Sequence, residues 1–597
     1  MTGDEERRVA LDRAAMALLG GAAGLALYVF VDVLPDRLDD LRWLLFGAAL
    51  VMGAFIVVLA LTGPVRLIRA ISGALAVAAP AAVLLLWASF RYPRMEGFLD
   101  AGHGVLAWGA ILFLGTPFVA AALQSPGGWR DYERLFDNAW TIVVRYAAAW
   151  LFVALFWAVV MLSDQLLQLV GLDVIEQLLR VDPVPYALSG LVLGLALAVI
   201  YELRDYVSPF LIHRLLRLLL PMFLPVVAVF ILALPVRGLG GLFGSFSAAA
   251  TLMGVAIAGI TLISTALDRS DADAAQAPVM VWAARIFSLA LPILSGLAIY
   301  AVWLRVAQYG WTPPRLMAAL SGAFLMVYGL LYAALVLRGG EFWMARIREA
   351  NRLMAMALVA VSMLWLTPVL NAEKVAARSQ FERALTIMDS PQTMALWELA
   401  QGWGHAGTDA LVSLEAEAKA VGADTVLAAI GRARTAGSRY AYDRQIDAGD
   451  LAPHIAELAR LMPLRPEGAT LPENAFSGLP APIIDLWLKS CRTRLRDGRA
   501  GCVLVLGDFR PGLGVPNGYV LLNRGGRFVD IAGVALRDGR LESFGAARAV
   551  ASLASAQRVS PGLTEENLAA VLDGAYEIVP TGLKALKIGD RVIIPDN

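Results

Sequence analysis

Lysine is missing from the first 371 residues. That stretch holds 25 arginines, the first lysine is Lys374, and half of the chain's 50 basic residues fall in the last 226 positions. Charge is scarce throughout. Of 597 residues 17% are charged and 58% hydrophobic, whereas a soluble domain carries about a quarter charged. The formal net charge is zero, which excludes a nucleic-acid surface built on positive excess. Only two cysteines (Cys491, Cys502) and four histidines (His103, His213, His405, His454) are present, and none has the spacing of a zinc site. No metal or cofactor is therefore expected. A Walker loop, a nucleophile elbow, an HExxH helix and a dinucleotide fingerprint are also missing. Whether the chain is an enzyme is not set by its residues.

What the sequence does have is apolar length. A helix needs about 20 apolar residues to cross a bilayer core. Eleven segments qualify, near 14–34, 42–62, 68–89, 104–123, 141–162, 184–202, 215–235, 246–267, 284–304, 316–337 and 352–371. Segment 68–89 contains Pro80, and 246–267 is rich in small residues. The first run is longer than a signal-peptide core and a second follows at once, so it is read as an uncleaved span. Trp43, Trp129, Trp140, Trp282, Trp303, Trp311, Trp343 and Trp365 fall near predicted helix ends, where an amphipathic ring prefers the headgroups.

Arginine sets the orientation. With a cytoplasmic N-terminus the inner connections hold 15 arginines and the outer ones 8, leaving aside Arg145 and Arg285, which fall within or near helix ends. The positive side stays in the cytoplasm. An odd number of spans then puts everything after Asn371 outside it. One outer connection, Ser163–Asp182, places Leu167, Val170, Val174, Leu178 and Val181 at helical spacing and reads as a helix lying on the membrane surface.

The ninth connection reads Arg305-Val-Ala-Gln-Tyr-Gly-Trp-Thr-Pro-Pro-Arg315 between two spans. It resembles the signature segment of the DUF4153 family, bacterial polytopic membrane proteins without an assigned function. The resemblance implies a multi-pass protein of the bacterial inner membrane and brings no catalytic residue with it. Read from the residues alone, Gly310 and Thr312-Pro313-Pro314 make a tight turn that opens the next helix. The turn is either a rigid hairpin anchored by Tyr309 and Trp311, or a site where Arg305, Tyr309 and Arg315 meet an anionic lipid headgroup or phosphate.

After Asn371 the pattern becomes water-soluble. Segments 373–388, 391–401, 408–421 and 424–435 read as short helices within a helical region, 372–462. A Pro-rich linker, 463–482, follows. Residues 483–597 read as a small α+β module, with helices at 483–496 and 564–572 and strands at 502–506, 519–523, 527–531, 576–580 and 591–595. The loop Gly507–Gly518 has too few carboxylates for calcium. Cys491 and Cys502 are either a disulfide, which an oxidising compartment favours, or two separate small buried residues.

Two acidic groups stand out. Asp32, Asp36, Asp39 and Asp40 lie in the first outer connection, where polytopic glycosyltransferases acting on lipid-linked sugars often keep a carboxylate; a solvated acidic loop is the plainer account. Glu202 and Asp205, with His213 nearby, end a span on the inner side and suit either proton handling or an interfacial charge network. No lone charge is expected in the middle of a span, which counts against transport. The sequence thus points to a membrane scaffold or sensor, with the lipid bilayer and an envelope protein as partners. The alternative is an envelope transferase or transporter acting on a lipid-linked or small solute, with Asp36, Asp39 and Asp40 as its acidic loop.

Overall fold

A computed structural model describes all residues except 1–2, 39, 64, 204–208, 238–247, 389, 511–513, 526–527, 551–561, 582, 589–590 and 596–597. The chain divides into two compact units, Met1–Ile430 and Gly431–Asn597.

Unit 1 is helical. Its long helices are α1 (Gly3–Tyr28, continued by a π turn at Val29–Val33), α2 (Leu41–Leu61), α3 (Leu67–Ser89), α5 (His103–Gln124), α6 (Tyr132–Gln168), α8 (Pro183–Glu202), α9 (Pro209–Arg237), α10 (Ala248–Leu267), α11 (Pro278–Tyr309), α12 (Pro313–Arg338) and α13 (Trp343–Trp365). Short helices α4 (Met95–Ala101) and α7 (Val174–Leu179) lie between them, and α14 (Ala372–Thr386), α15 (Gly404–Ala420) and α16 (Asp424–Thr435) follow. Among the described residues ten helices are long and apolar enough to cross a membrane; α13 qualifies only together with the following segment Pro368–Thr386, at a 78° bend. Arg346, Arg348, Glu349 and Arg352 in its first half are the reason.

Polar contacts nevertheless show that α13 runs the full length of the bundle. At the end holding the N-terminus, Arg13 pairs with Glu202 at 2.5 Å, Arg269 with Asp137 at 3.0 Å and Arg348 with Asp271 at 2.5 Å. At the far end Arg42 donates to the Tyr92 carbonyl at 2.6 Å, and Gln380 of α14 donates to the Tyr309 carbonyl at 2.7 Å. Arg348 opens α13 at the first end and Trp365 closes it at the second. Eleven long helices therefore alternate in direction among the described residues, matching the eleven expected segments. The start of α1 and the start of α14 lie at opposite ends of the bundle.

Packing follows residue size. One core gathers α2, α3, α5 and the end of α13 around Ala70, Ala74, Ala78, Ala81, Leu85 and Ile111; a second gathers α9 to α13 around Phe287, Leu291, Leu294 and Tyr332. Elsewhere large apolar side chains face outward, as on α6, where Leu151, Leu155, Val159, Leu162 and Leu166 are each more than half exposed. A lipid phase suits that pattern and water does not.

Two features differ from the sequence reading. The surface helix expected over Ser163–Asp182 is split: α6 continues to Gln168, reaching about 55 Å in length, Gly171 at φ 77° breaks the chain, and α7 adds six residues. The separate helical region expected over 372–462 is divided at Ile430, because 372–430 belongs with the long helices. Its first helix buries Ala372, Glu373, Ala376, Ala377, Gln380 and Ala384. Small and polar residues make that face, so it reads as water-soluble in sequence, yet it packs on helix ends whose carbonyls and arginines need polar partners.

Unit 2 holds α17 (Arg439–Leu461), α18 (Ala481–Arg492), α19 (Glu565–Leu572) and eight strands: β1 (Leu464–Arg465), β2 (Cys502–Gly507), β3 (Asn517–Asn523), β4 (Val529–Arg537), β5 (Arg540–Val550), β6 (Glu577–Thr581), β7 (Leu583–Ile588) and β8 (Arg591–Pro595). Their order is β1-β2-β3-β4-β5-β8-β7-β6, and among the described residues only the β1–β2 pair is parallel. On β2, Cys502 and Leu504 face a core with α17 and α18, whereas Val503 and Val505 face a core with α19. Burial on both faces explains the unbroken apolar run Cys502–Leu506. The expected linker 463–482 contributes β1 and buries Ala475, Phe476 and Leu479.

Candidate functional site at the far end of the bundle

The last carbonyls of a helix have no partner within it and carry a partial negative charge. At the far end these groups are met by arginines from distant parts of the chain. Arg42 bridges the Tyr92 and Pro93 carbonyls beyond α3. Arg91 donates to the carbonyls of Trp365 and Thr367 at the end of α13, both at 2.7 Å.

Arg91 also belongs to a buried node around Glu373, whose side chain is 1% exposed. Asn371 caps α14 by accepting from the Lys374 N–H at 2.9 Å, which puts Glu373 in the first helical turn. The Tyr92 hydroxyl donates to Glu373 Oε1 at 2.9 Å, His103 Nε2 lies 3.0 Å from the same oxygen, and Arg91 Nη1 is 3.3 Å from Oε2. Trp365 Nε1 donates to His103 Nδ1 at 3.1 Å, so the proton of a neutral His103 sits on Nε2, toward Glu373. Burial pushes the Glu373 carboxyl up, but His103 and Arg91 outweigh it and hold the group at about 2. Burial, then Glu373, raises the Tyr92 phenol. Gly404, at φ 55°, closes over this node: a Cβ there would lie 2.3 Å from the Arg91 carbonyl oxygen, which accepts from the His405 N–H at 2.9 Å.

The turn between α11 and α12 is clasped by the same helix α14. Gly310 takes φ 72°, and Thr312 caps α12 ahead of Pro313. Arg315 folds back so that Nη1 donates to the carbonyls of Gly310 at 2.8 Å and Tyr309 at 3.3 Å, with its guanidinium 5.4 Å from the Tyr309 ring centre. From α14, Gln380 donates to the carbonyls of Tyr309 and Trp311, Ser379 Oγ accepts from the Trp311 N–H, and Arg383 donates to the Gln308 carbonyl at 2.6 Å. Arg305 stays exposed. The rigid-hairpin reading of this turn thus has a visible basis, with Arg315 part of the lock.

The first acidic loop does not join either cluster among the described residues. Asp40 caps α2 by accepting from the Arg42 N–H at 2.9 Å, Asp32 and Asp36 are exposed, and Asp39 lies outside the described residues. At the opposite end Glu202 is held by Arg13, while His213 packs between the rings of Phe136 and Trp140; Asp205 lies outside the described residues. His454 is an exposed partner of Asp485 at 3.1 Å.

One buried charge lies toward the end of the span expected over 141–162, level with the end of α2. Arg145, 4% exposed on α6, has no carboxylate partner among the described residues and donates to the carbonyls of Ala60, Thr62 and Leu197 at 3.2–3.3 Å. The partial charge at the end of α2 takes the place of an anion. Arg348 likewise donates to the Leu267 and Asp268 carbonyls at the end of α10, and it also pairs with Asp271.

Compared with family models, with curated proteins and with solved structures, the chain matches none. Its chemistry therefore has to be read from its own residues. Among those described, no group of three His, Cys, Asp or Glu is placed to hold a metal ion. A cleft of about 300 Å³ opens between α5, α6, α10, α12 and α13. Its lining is mostly apolar, with Thr261 and Arg352 in the wall and a floor where Asn351 accepts from Tyr328 and Tyr332 and donates to Tyr132 and Ser264. In unit 2, Cys491 and Cys502 are fully buried with their sulfurs 2.02 Å apart. Asn517, 1% exposed, braces the 507–518 loop by accepting from the Phe509 and Arg510 N–H groups.

Sequence reasoning missed the Glu373 node and the Gln380 clasp. His103 and Glu373 are 270 positions apart, and no local pattern links them. The one available signal was a carboxylate in the first turn after the last span, next to a new helix cap.

Proposed function

We propose that the chain is a multi-pass scaffold of the bacterial inner membrane. The N-terminus lies in the cytoplasm, and the α14 end and unit 2 lie outside, where unit 2 serves an envelope partner. The observation that carries this reading is the state of Glu373. Both its oxygens are engaged by Tyr92, His103 and Arg91, in a node that fastens α14 to the ends of α3, α5 and α13. A carboxylate held near 2 by surrounding cations is a strut and a poor general base at neutral pH. The arginine bias supports the orientation, and the residues Arg305–Arg315 support the tie to the DUF4153 family. Asp40 as a helix cap removes much of the case for a transferase loop.

Paired reporters fused after Asn597, one active only in the cytoplasm and one only outside it, test the placement. An extracytoplasmic signal is expected, and a cytoplasmic one overturns it. Asn replacements at Asp36, Asp39 and Asp40 test the role. A scaffold keeps full complementation of a deletion strain with all three changed, whereas loss of complementation by stably inserted protein returns the transferase.

A further inference from the structure

The turn that α14 clasps gathers three arginines, and none of them pairs with a carboxylate among the described residues. Arg315 is fixed by the Gly310 and Tyr309 carbonyls, and Arg383 by the Gln308 carbonyl. Arg305, one turn back on α11, is exposed and makes no hydrogen bond or ion pair among the described residues. Arg305 and Arg383 both stand close enough to Arg315 to repel it. The neighbouring Arg378, by contrast, is neutralised by Glu382 at 2.9 Å. Three like charges collected on one turn are unfavourable unless an anion sits among them. The start of α12, a 26-residue helix capped by Thr312, adds its partial positive charge at the same place. Arg315 and Arg383 have each used one nitrogen on carbonyls, which fixes their planes and leaves further donors, and Arg305 keeps all of its donors; this is the geometry in which arginine grips a phosphate.

The surroundings say where the phosphate comes from. Trp303 is 57% and Tyr309 49% exposed on the last turns of α11, and Tyr300 stacks on Trp303. Exposed amphipathic rings at a helix end mark the headgroup level of a bilayer. We infer that Arg305, Arg315 and Arg383 form a binding site for the phosphate of an anionic membrane lipid. The site is independent of which side of the membrane this end faces, and it does not rest on the scaffold reading.

The test uses full-length protein in neutral detergent, with native mass spectrometry counting retained lipid. The probes are phosphatidylglycerol, zwitterionic phosphatidylcholine and inorganic phosphate as competitor. Wild type is expected to retain phosphatidylglycerol in preference to phosphatidylcholine. R305Q, at an exposed residue with no structural partner, should weaken retention about fivefold, the effect of one basic residue near an anionic surface. R305Q/R383Q should bring it to the phosphatidylcholine level, and R378Q, the same charge change on α14, should leave it unchanged. Competition by millimolar inorganic phosphate that R305Q abolishes would keep the phosphate site and assign it to a soluble phosphate. Equal retention of both lipids by wild type, or equal losses in R305Q and R378Q, would overturn the site.

Discussion

Gly20 of α1 and Gly190 of α8 face each other so closely that a Cβ on either would lie 2.1 Å from the carbonyl oxygen of the other. The pair repeats one turn along. A Cβ on Gly24 would lie 2.1 Å from the Tyr186 oxygen, and one on Gly194 2.1 Å from the Met16 oxygen. Both helices carry glycines four residues apart, which lets two backbones touch where lipid supplies no hydrophobic drive. Gly20→Leu or Gly190→Leu should therefore separate α1 from α8, at a cost of at least about 3 kcal/mol. Gly21→Ala, whose nearest neighbour atom would be 3.8 Å away, should be tolerated. Thermal unfolding in detergent of the three variants measures the difference. Similar midpoints for G20L and G21A would count against the close crossing.

The Glu373 node makes stability depend on acid. The carboxyl is lowered from 4.5 to about 2 in the folded chain, so its contribution is fully present above pH 4.5 and fades as pH falls toward 2. By linkage that contribution is on the order of 3 kcal/mol. Melting of wild type in detergent should fall steeply as pH drops from 4.5 to about 2, and E373Q should start lower and show a flatter profile. Parallel profiles for the two proteins would assign the acid sensitivity to other carboxylates.

Two costs meet at Gly310. Its φ of 72° is unfavourable for any side chain, and a Cβ would lie 2.6 Å from Gln380 Nε2. Gly310→Ala is expected to destabilise by about 2 kcal/mol. In the double variant with Gln380→Ala the steric part should vanish while the backbone part stays. A double-mutant cycle with strongly non-additive terms is the expected result. Strict additivity would mean that α14 does not clasp the turn.

Eleven apolar segments were legible because burial and lipid exposure both select for them, and each was bounded by turn residues or charge. Helix-to-helix polar contacts were not. Arg91, His103 and Glu373 come together only after seven reversals of the chain. In unit 2, β2 and β3 were legible as continuous apolar runs. Strand β5, with Gly545, Ala546, Ala547 and Ala549, has the composition of a poor strand, and β7, Leu583-Lys-Ala-Leu-Lys-Ile588, has helical spacing. Pairing with β4 and β8 decides both. Helix α17 was hidden by Pro453 within it. Of the candidate site, the tight turn and its Thr312 cap were visible, whereas its clasp by α14 depended on residues some 70 positions away.

Cys491 and Cys502 join the end of α18 to β2 across a separation of 11 residues. A loop of that size stabilises by about 3 kcal/mol in the chain-entropy account. Replacing both by serine should lower the melting temperature of unit 2 in the intact protein. Alkylation of thiols in living cells before lysis, followed by mass spectrometry, should find the pair bridged if unit 2 lies outside the cytoplasm. Two free alkylated thiols would place it in the reducing compartment.

Arg145 bears on the missing lysines. Its Nη1 and Nη2 reach three carbonyls that diverge from two helices, Ala60 and Thr62 on α2 and Leu197 on α8, and its guanidinium also lies 5.1 Å from the Tyr201 ring centre. A planar fork with five donors spans such a set, whereas an ammonium offers three donors from one point and is harder to strip of water. Arg42, Arg91 and Arg348 bridge pairs of carbonyls in the same way. Each stitches helices that are distant in sequence, and at none of them does charge alone suffice. Arg145→Lys should thus cost about 2 kcal/mol, close to the cost of Arg145→Gln, because the fork rather than the charge is lost. Melting of both variants in detergent compares them directly. If the lysine variant instead melts with wild type, the geometric reason for arginine fails, and the absence of lysine from the first 371 residues must have another origin.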